Sequence, residues 1–146
     1  MNDNQIKLDM DAKSENASLA RVVTAGFLTP YDVTIGDITD IKTAVSEAVT
    51  NAIIHGYAGT YGVVTMEISI KERHLTIKIS DHGVGIEDIE TAKEPLFTTK
   101  PDMERSGLGF TVMESFMDTV EIKSNLGVGT TVTMTRKLSP AEVNPE

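Results

Sequence analysis

Three polar side chains recur at four-residue spacing in a stretch that otherwise has the composition of a helix: Glu47, Asn51 and His55. With about 100° between helical residues, each lies about 40° from the one before, so they form a polar stripe beside the apolar face. An amide oxygen can bind a hard cation such as Mg²⁺, and a carboxylate one turn earlier can accept a proton from an attacking hydroxyl. The alternative is the polar edge of an ordinary amphipathic helix, because short motifs also match by chance.

A second group of residues lies after a strand-like run, where Asp81 is followed by Gly83 and Gly85. A carboxylate at a strand end can accept a hydrogen bond from an exocyclic amine, which adenine has and guanine lacks at that edge. The two glycines allow the backbone to approach a ring closely. The alternative is a glycine turn that only leaves the strand.

A third group, at positions 106–109, is a glycine pair at the predicted start of a helix. Free backbone N–H groups and the positive end of the helix dipole favour an anion there. Lys100 and Arg105 lie just upstream and can contact phosphate oxygens. The pattern is neither a Walker A loop nor a Rossmann fingerprint, and the alternative is a glycine-rich loop with two surface charges.

Three helices are predicted to position these groups. The first begins with Ser14 as its N-cap and ends near Leu28, and the second is capped by Asp37 and ended by Gly56. The third is predicted over 107–117. It follows a stretch, 82–106, that has no regular period and is typical of a functional or disordered segment.

Alternating apolar and polar residues predict five strands, around 6–10, 64–70, 75–79, 120–122 and 132–134. Lys71, Glu72 and Arg73 form the predicted turn of the central hairpin, and 125–129 form the turn between the last two strands. One buried and one wet face per strand is typical of an antiparallel sheet. The predicted fold class is α+β: a two-layer α/β sandwich with helices on one face of a mixed, mainly antiparallel sheet.

Size and composition restrict the classes of function. The 146 residues suffice for one domain, predicted at 1–138, followed by a polar C-terminal tail at 139–146. A net charge of −9 argues against direct binding of nucleic acid, and no apolar run approaches the roughly 20 residues that span a membrane. The absence of cysteine in the sequence is compatible with the expected cytoplasmic location.

The order of the three groups resembles the Bergerat, or GHKL, ATP-binding superfamily. Within it the chain resembles the small serine-kinase anti-sigma factors, and most closely the anti-sigma F factors of endospore-forming bacteria. The segments that carry this resemblance are 46–57, 95–101 and 104–110, together with 13–16 and 20–21 in the first predicted helix. The resemblance covers nearly the whole chain.

The resemblance implies a role for each of these residues. Glu47 would be the catalytic base that orients the acceptor serine, Asn51 the Mg²⁺ ligand and Asp81 the residue that reads the adenine amine. Arg21 would dock the partner protein, with a solvated helix arginine as the alternative. A lid over the nucleotide would extend from about Glu87 to Gly109. The residues implied to bind ATP or ADP are Asn51, His55, Asp81, Gly83, Gly85, Thr98, Thr99, Lys100, Arg105, Ser106, Gly107, Leu108, Gly109 and Thr130.

The resemblance also implies an activity and its partners. The protein would bind and inhibit the sporulation sigma factor F as a homodimer, and would use Mg-ATP to phosphorylate a serine of an anti-anti-sigma factor. Two alternatives remain open. One is a stress-response anti-sigma B-type kinase, which shares the chemistry and differs in its partners. The other is a non-catalytic, ATP-gated binding module, against which the carboxylate of Glu47 argues because binding alone needs no base.

Overall fold

In the part of the chain that the structure describes, three helices pack on one face of a five-stranded sheet. A computed structural model describes residues 3–57, 60–86 and 109–139. The strands are β1 (Asn4–Asp11), β2 (Val63–Lys71), β3 (His74–Asp81), β4 (Thr119–Asn125) and β5 (Gly129–Lys137). The helices are α1 (Ser14–Leu28), α2 (Ile35–Asn51) and α3 (Phe110–Phe116). A short 3₁₀ turn (Thr29–Tyr31) follows α1, and a π-helical turn (Ala52–Gly56) follows α2.

The sheet has the strand order β1-β2-β3-β5-β4. Its four pairings between described strands are all antiparallel, with Asp81 opposite Thr130 at one end and Leu75 opposite Arg136 at the other. The predicted α+β sandwich is therefore confirmed, while no parallel pair occurs among these strands. Alternation in the sequence explains the two layers, because every second side chain along most of β2, β3 and β5 is buried beneath the helices.

The core lies between the sheet and the helices. Met66, Ile68, Ile77 and Met134 of the central strands are fully buried, as is Phe110 of α3. Ile41, Ala44, Val45, Ala48 and Val49 supply the buried face of α2, at the three- and four-residue offsets of an amphipathic helix. This packing fixes α2 across the sheet, so that its C-terminal end lies near the end of β3. Within the described ranges, no helix is long and apolar enough to cross a membrane.

Both predicted N-caps are wrong. Lys13 precedes the first helical residue of α1, and it makes no side-chain capping bond. The α2 helix begins earlier than expected, because the Thr34 hydroxyl caps it by accepting a hydrogen bond from the Asp37 N–H at 3.0 Å. Asp37 is itself a good capping residue type, which is why the sequence predicts it as the cap. Asp37 instead lies in the first turn, where its negative charge is favourable.

The ends of the other elements are close to expectation. The hairpin turn consists of Glu72 and Arg73, which have φ values of 50° and 65°. The second helix reaches Gly56 as predicted, but its last five residues form the π turn. For the third predicted helix, the described part begins at Phe110 after Gly109, and positions 107–108 lie outside the described residues.

Two arginines tie the elements together at the end of the sheet where β2 turns into β3. We call this region the arginine end: Arg73 and Arg136 with their partners. Arg136 contacts Asp37 at 2.6 Å and Asp40 at 3.4 Å, and it donates to the Phe116 carbonyl oxygen at 2.9 Å. Arg73 donates to the carbonyl oxygens of three residues in the loop after α1 and the segment after β5: Tyr31, Asp32 and Ser139.

Candidate functional site

A cleft opens between the C-terminal end of α2 and the opposite end of the sheet. The cavity volume that the centre of a water molecule can occupy is about 40 Å³. Five residues predicted to bind a nucleotide line it: Asn51, His55, Asp81, Gly85 and Thr130. Its other walls are mainly apolar, and they consist of Ala48, Ala52, Gly56, Ile79, Ile86, Phe110 and Val132. Mainly apolar walls with a few polar groups are typical of a small-molecule site.

The π turn shapes one side of this cleft. The Tyr57 N–H donates to the Ala52 carbonyl oxygen at 3.2 Å, a spacing of five residues where an α-helix has four. The wider turn ends the helix so that both His55 and Gly56 line the cleft. A Cβ on Gly56 would come within 2.8 Å of the Asp81 carboxyl carbon, so only glycine allows this approach. Such π turns occur often at functional sites.

Asp81, the last residue of β3, is the buried acid of the cleft. Its side chain accepts a hydrogen bond from the Gly83 N–H at 2.9 Å, and the residue is 7% exposed. Burial raises the pKa of Asp81, and this effect outweighs the opposing effects of the Gly83 and Thr130 backbone N–H groups and of His82. A buried carboxylate that retains free acceptor capacity can bind a donor on a ligand.

The two glycines after Asp81 have different positions. Gly85 lines the cleft with a φ of +80°, and a Cβ there would overlap the Asn125 carbonyl oxygen. Gly83 does not line the cleft; a Cβ on it would overlap the Gly56 carbonyl oxygen. That carbonyl accepts a hydrogen bond from the Val84 N–H at 2.7 Å. Gly83 therefore lets the loop after β3 pack directly on the π turn.

Tyr57 also holds the loop after β3 in place. Its hydroxyl donates to the Val63 carbonyl oxygen at 2.5 Å and accepts from the His82 N–H at 2.8 Å. Gly62 lies so close to the ring that a side chain there would overlap it. Tyr57 thus connects the π turn, the start of β2 and the end of β3. Sequence reasoning assigned it no role, although it directly follows the predicted stripe.

Glu47 lies outside the set of residues that line the cleft, but it is next to the start of α3. A Cβ on Gly109, which has a φ of +64°, would overlap the Glu47 carboxylate. The structure therefore brings the stripe on α2 and the last residue of the third sequence group together. Burial raises the pKa of the Glu47 carboxyl. This increases its capacity to hold a proton at a given pH.

The remaining predicted residues fall into two sets. Arg21 is exposed on α1 and is not among the residues that line it. The others lie in the segment 87–108, outside the described residues: Thr98, Thr99, Lys100, Arg105, Ser106, Gly107 and Leu108.

Sequence comparison places the chain among known proteins. Residues 10–136 match the family described as histidine kinase-like ATPase domain. The chain is 54% identical over 142 residues to the anti-sigma F factor of Clostridium acetobutylicum, covering 97% of this chain and 99% of the relative. It is 53% identical over 138 residues to the anti-sigma F factor of Clostridium perfringens, covering 94% of this chain and 99% of the relative.

Solved structures share the fold at low sequence identity. The RsbU and RsbW domains of a Mycobacterium tuberculosis protein align with a TM-score of 0.67 and 22% identity, over 92% of this chain and 32% of that one. The catalytic domain of the histidine kinase ThkA aligns with a TM-score of 0.57 and 15% identity, over 96% of this chain and 99% of that one. Taken with the sequence relatives, these findings show that the chain belongs to the anti-sigma F factor family, within the histidine kinase-like ATPase domains.

Proposed function

We propose that the protein is an anti-sigma factor and a serine-protein kinase, active through 1–138 as one ATP-binding domain. It would bind and inhibit a sporulation sigma factor F, and would phosphorylate a serine of the anti-anti-sigma factor with Mg-ATP. The observation that carries the proposal is the cleft, in which Asn51, His55, Asp81, Gly85 and Thr130 meet. The relatives named anti-sigma F factor support the choice of partners.

The cleft fits the adenine end of ATP. A purine ring would be buried between apolar side chains such as Ile79, Phe110 and Val132, a contact favoured by the removal of apolar surface from water. The Asp81 carboxylate would accept a hydrogen bond from the exocyclic amine of adenine. Guanine presents an oxygen at that position, which a carboxylate would repel. The cleft therefore supports adenine as the base.

Asn51 is suited to a magnesium ion. Its side chain lines the cleft one turn after Glu47, and an amide oxygen is a hard ligand. No group of three His, Cys, Asp or Glu side chains that could hold a metal occurs in the described residues. Magnesium commonly takes one or two protein ligands, with water and phosphate oxygens as the rest, so this set is sufficient. When bound, the ion would neutralise charge on the phosphates.

Glu47 would act on the acceptor serine. Its carboxylate would take the proton from the serine hydroxyl as the serine oxygen forms a bond to the γ-phosphorus. The bond between that phosphorus and the bridging oxygen breaks, and ADP leaves with the bonding electrons. The raised pKa of Glu47 supports this role, because a base that holds a proton more tightly accepts it more readily. Lys100, Arg105 and the N–H groups of Gly107 and Gly109 would contact the phosphates.

The proposed partner interactions are supported by the relatives named anti-sigma F factor. The protein would bind its sigma factor as a homodimer with ATP bound, and Arg21 on the exposed side of α1 would contact the partner. An Arg21→Ala variant would then lose sigma binding while it retains ATP affinity. Unchanged sigma binding would identify Arg21 as a solvated surface residue.

The decisive experiment uses ATP labelled on the γ-phosphate. The purified protein is mixed with Mg-ATP and a sporulation anti-anti-sigma protein, and the substrate is tested for phosphoserine. Label on serine is the expected result. ATP binding without label, even with the cognate substrate, would favour the ATP-gated binding module. A partner pull-down against sigma factors of the sporulation and stress classes would separate the F-type from the B-type kinase.

A further inference from the structure

Several polar groups meet around the Ser124 hydroxyl, directly behind the wall of the cleft. Ser124 lies on β4, opposite Thr130 in the register with β5. Its Oγ accepts a hydrogen bond from the Ile86 N–H at 2.7 Å, lies 2.7 Å from the Thr130 Oγ1, and donates to the Gly129 carbonyl oxygen at 3.2 Å. Ser124 is not among the residues that line the cleft, whereas Ile86 and Thr130 are.

The hydrogen-bond capacity of a hydroxyl fixes the direction of the Ser124–Thr130 bond. A serine hydroxyl has one hydrogen and two lone pairs. Ser124 directs its hydrogen to the Gly129 carbonyl oxygen and accepts from the Ile86 N–H. Either oxygen could donate in the bond between the two hydroxyls, and on this basis we assign its hydrogen to Thr130. Thr130 therefore meets a ligand in the cleft as a hydrogen-bond acceptor.

Two acceptors are then available at the same end of the cleft. Asp81 is opposite Thr130 in the register of β3 and β5, and both residues line the cleft. An exocyclic amine has two hydrogens and suits such a pair of acceptors. The exocyclic carbonyl oxygen of guanine would meet two electron-rich groups and be disfavoured.

We infer that Ser124 is a positioning residue that sets base specificity. It orients the Thr130 hydroxyl as an acceptor, and it holds the Ile86 N–H in the loop after β3. It contacts no ligand itself and acts through Thr130. This inference rests on the proposed function, because it concerns the adenine end of the same nucleotide site.

The test compares ADP with its 6-deamino analogue, purine riboside 5′-diphosphate. Titration calorimetry gives the affinity of each nucleotide, and their ratio measures recognition of the amine. The Ser124→Ala variant should reduce this ratio roughly fivefold, about the effect of one net hydrogen bond, with a much smaller loss for the analogue. A purely structural role would weaken both nucleotides equally and leave the ratio unchanged.

Ser80→Ala is the matched control. Ser80 is also a partly buried strand serine beside a threonine hydroxyl, since Thr131 Oγ1 donates to its Oγ at 3.3 Å. It lies on the opposite face of the sheet and should leave both affinities unchanged. A Thr130→Val background provides a second control, because Ser124→Ala should have little further effect on the ratio there. Should Ser124→Ala fail to fold, Ser124→Cys provides similar volume with weak hydrogen bonds, and should shift the ratio in the same direction.

The outcomes separate the two proposals. Wild-type protein that binds ADP more tightly than the analogue, with the preference unchanged in Ser124→Ala, would overturn the role of Ser124 and leave the proposed function intact. Equal losses for both nucleotides, or full additivity with Thr130→Val, would also overturn it. Wild-type protein that binds neither nucleotide would overturn the proposed function and this inference with it.

Discussion

The two ends of strands β3 and β5 differ in whether their buried charged groups have partners of opposite charge. At the arginine end, the largely buried guanidinium of Arg136 has Asp37 and Asp40 as ion partners and the Phe116 carbonyl oxygen as a further acceptor. At the other end, which we call the cleft end, Glu47 and Asp81 are carboxylates withdrawn from water. No lysine or arginine among the described residues forms an ion pair with either of them.

This contrast distinguishes groups that stabilise the fold from groups available to a ligand. Burial raises the pKa values of Glu47 and Asp81, which means that the folded protein disfavours their charged forms. Arg136 instead has acceptors for its donors, and it links the start of α2, the end of α3 and strand β5. Buried carboxylates without a cationic partner at one end, beside a paired arginine at the other, support the proposal that the cleft end binds the ligand.

The largest expected effect is on catalysis at the cleft end. Glu47→Gln should reduce phosphoryl transfer about 10²–10⁴-fold, because the amide cannot accept the serine proton. ATP affinity should be retained, since Glu47 is not among the residues that line the cleft. Transfer is measured with labelled ATP, and binding by calorimetry. Glu121→Gln, on an exposed edge strand, is the matched control, and a Glu47→Gln variant as active as this control would exclude Glu47 as the base.

The next effect concerns stability at the arginine end. Arg136→Met should lower the free energy of unfolding by about 2–3 kcal/mol, because two carboxylates and one carbonyl lose a partly buried donor. Lys123→Met is the control: its ion pair with Glu121 spans 3.9 Å between largely exposed side chains and should contribute less than about 0.5 kcal/mol. Denaturant unfolding of both variants measures the difference. Equal losses would show that the arginine end is not a stabilising network.

Asp81→Asn should lower the affinity for ADP without lowering the stability of the fold. ADP affinity should fall roughly tenfold or more, because an amide NH₂ replaces one of the acceptor oxygens that face the ligand. Stability at pH 7 should not fall, since the amide oxygen can still accept from the Gly83 N–H. Calorimetry and thermal melting measure the two quantities. Asp9→Asn, on the outer face of the sheet beside Thr65, should leave ADP affinity unchanged, and equal affinities in both variants would remove Asp81 from the site.

The raised pKa of Asp81 also predicts a pH dependence of opposite sign to that of a paired carboxylate. The folded protein retains this proton above the ordinary value of 3.8, at which the unfolded chain releases it. Stability contributed by this group therefore decreases as pH rises from 3.8 through the raised folded value. The stability of Asp81→Asn relative to wild type should increase over that window and be constant above it. Denaturant unfolding at several pH values tests the sign, and a change in the other direction would contradict burial as the cause.

The sequence predicts much of the fold because the hydrophobic periodicity of a helix or a strand depends only on neighbouring residues. The alternation at 64–70 and 75–79 predicts two neighbouring strands of one hairpin, and the four-residue stripe from Glu47 predicts the polar edge of α2. Asp81 was predicted at the end of its strand because its run of alternating residues stops there. These features depend on neighbours within a few positions.

Other features depend on contacts that the local sequence does not specify. Thr34 and Asp37 are both capping residue types, and the choice between them depends on where packing against the core starts the helix. The π turn has the composition of an α-helix, so the hydrophobic periodicity of the sequence does not indicate its extra residue. Tyr57 and Ser124 each bind a backbone N–H that is distant in sequence: Tyr57 accepts from His82, and Ser124 accepts from Ile86. A serine opposite a threonine in the β4–β5 hairpin was the available signal for Ser124, but it required the register to be known.

The smallest expected effect is at Gly26, which we contrast with Gly83, a glycine in close contact at the cleft end. Gly26 lies within α1, and no heavy atom lies within 4 Å of a Cβ added there. Gly26→Ala should therefore raise the free energy of unfolding by about 0.5–1 kcal/mol, because alanine loses less backbone entropy in a helix. Gly83→Ala should instead lower it by about 1–3 kcal/mol, since the new methyl group overlaps the Gly56 carbonyl oxygen. If denaturant unfolding gave the two variants the same sign, the loop after β3 would not be packed on the π turn, and the geometry that positions Asp81 would be wrong.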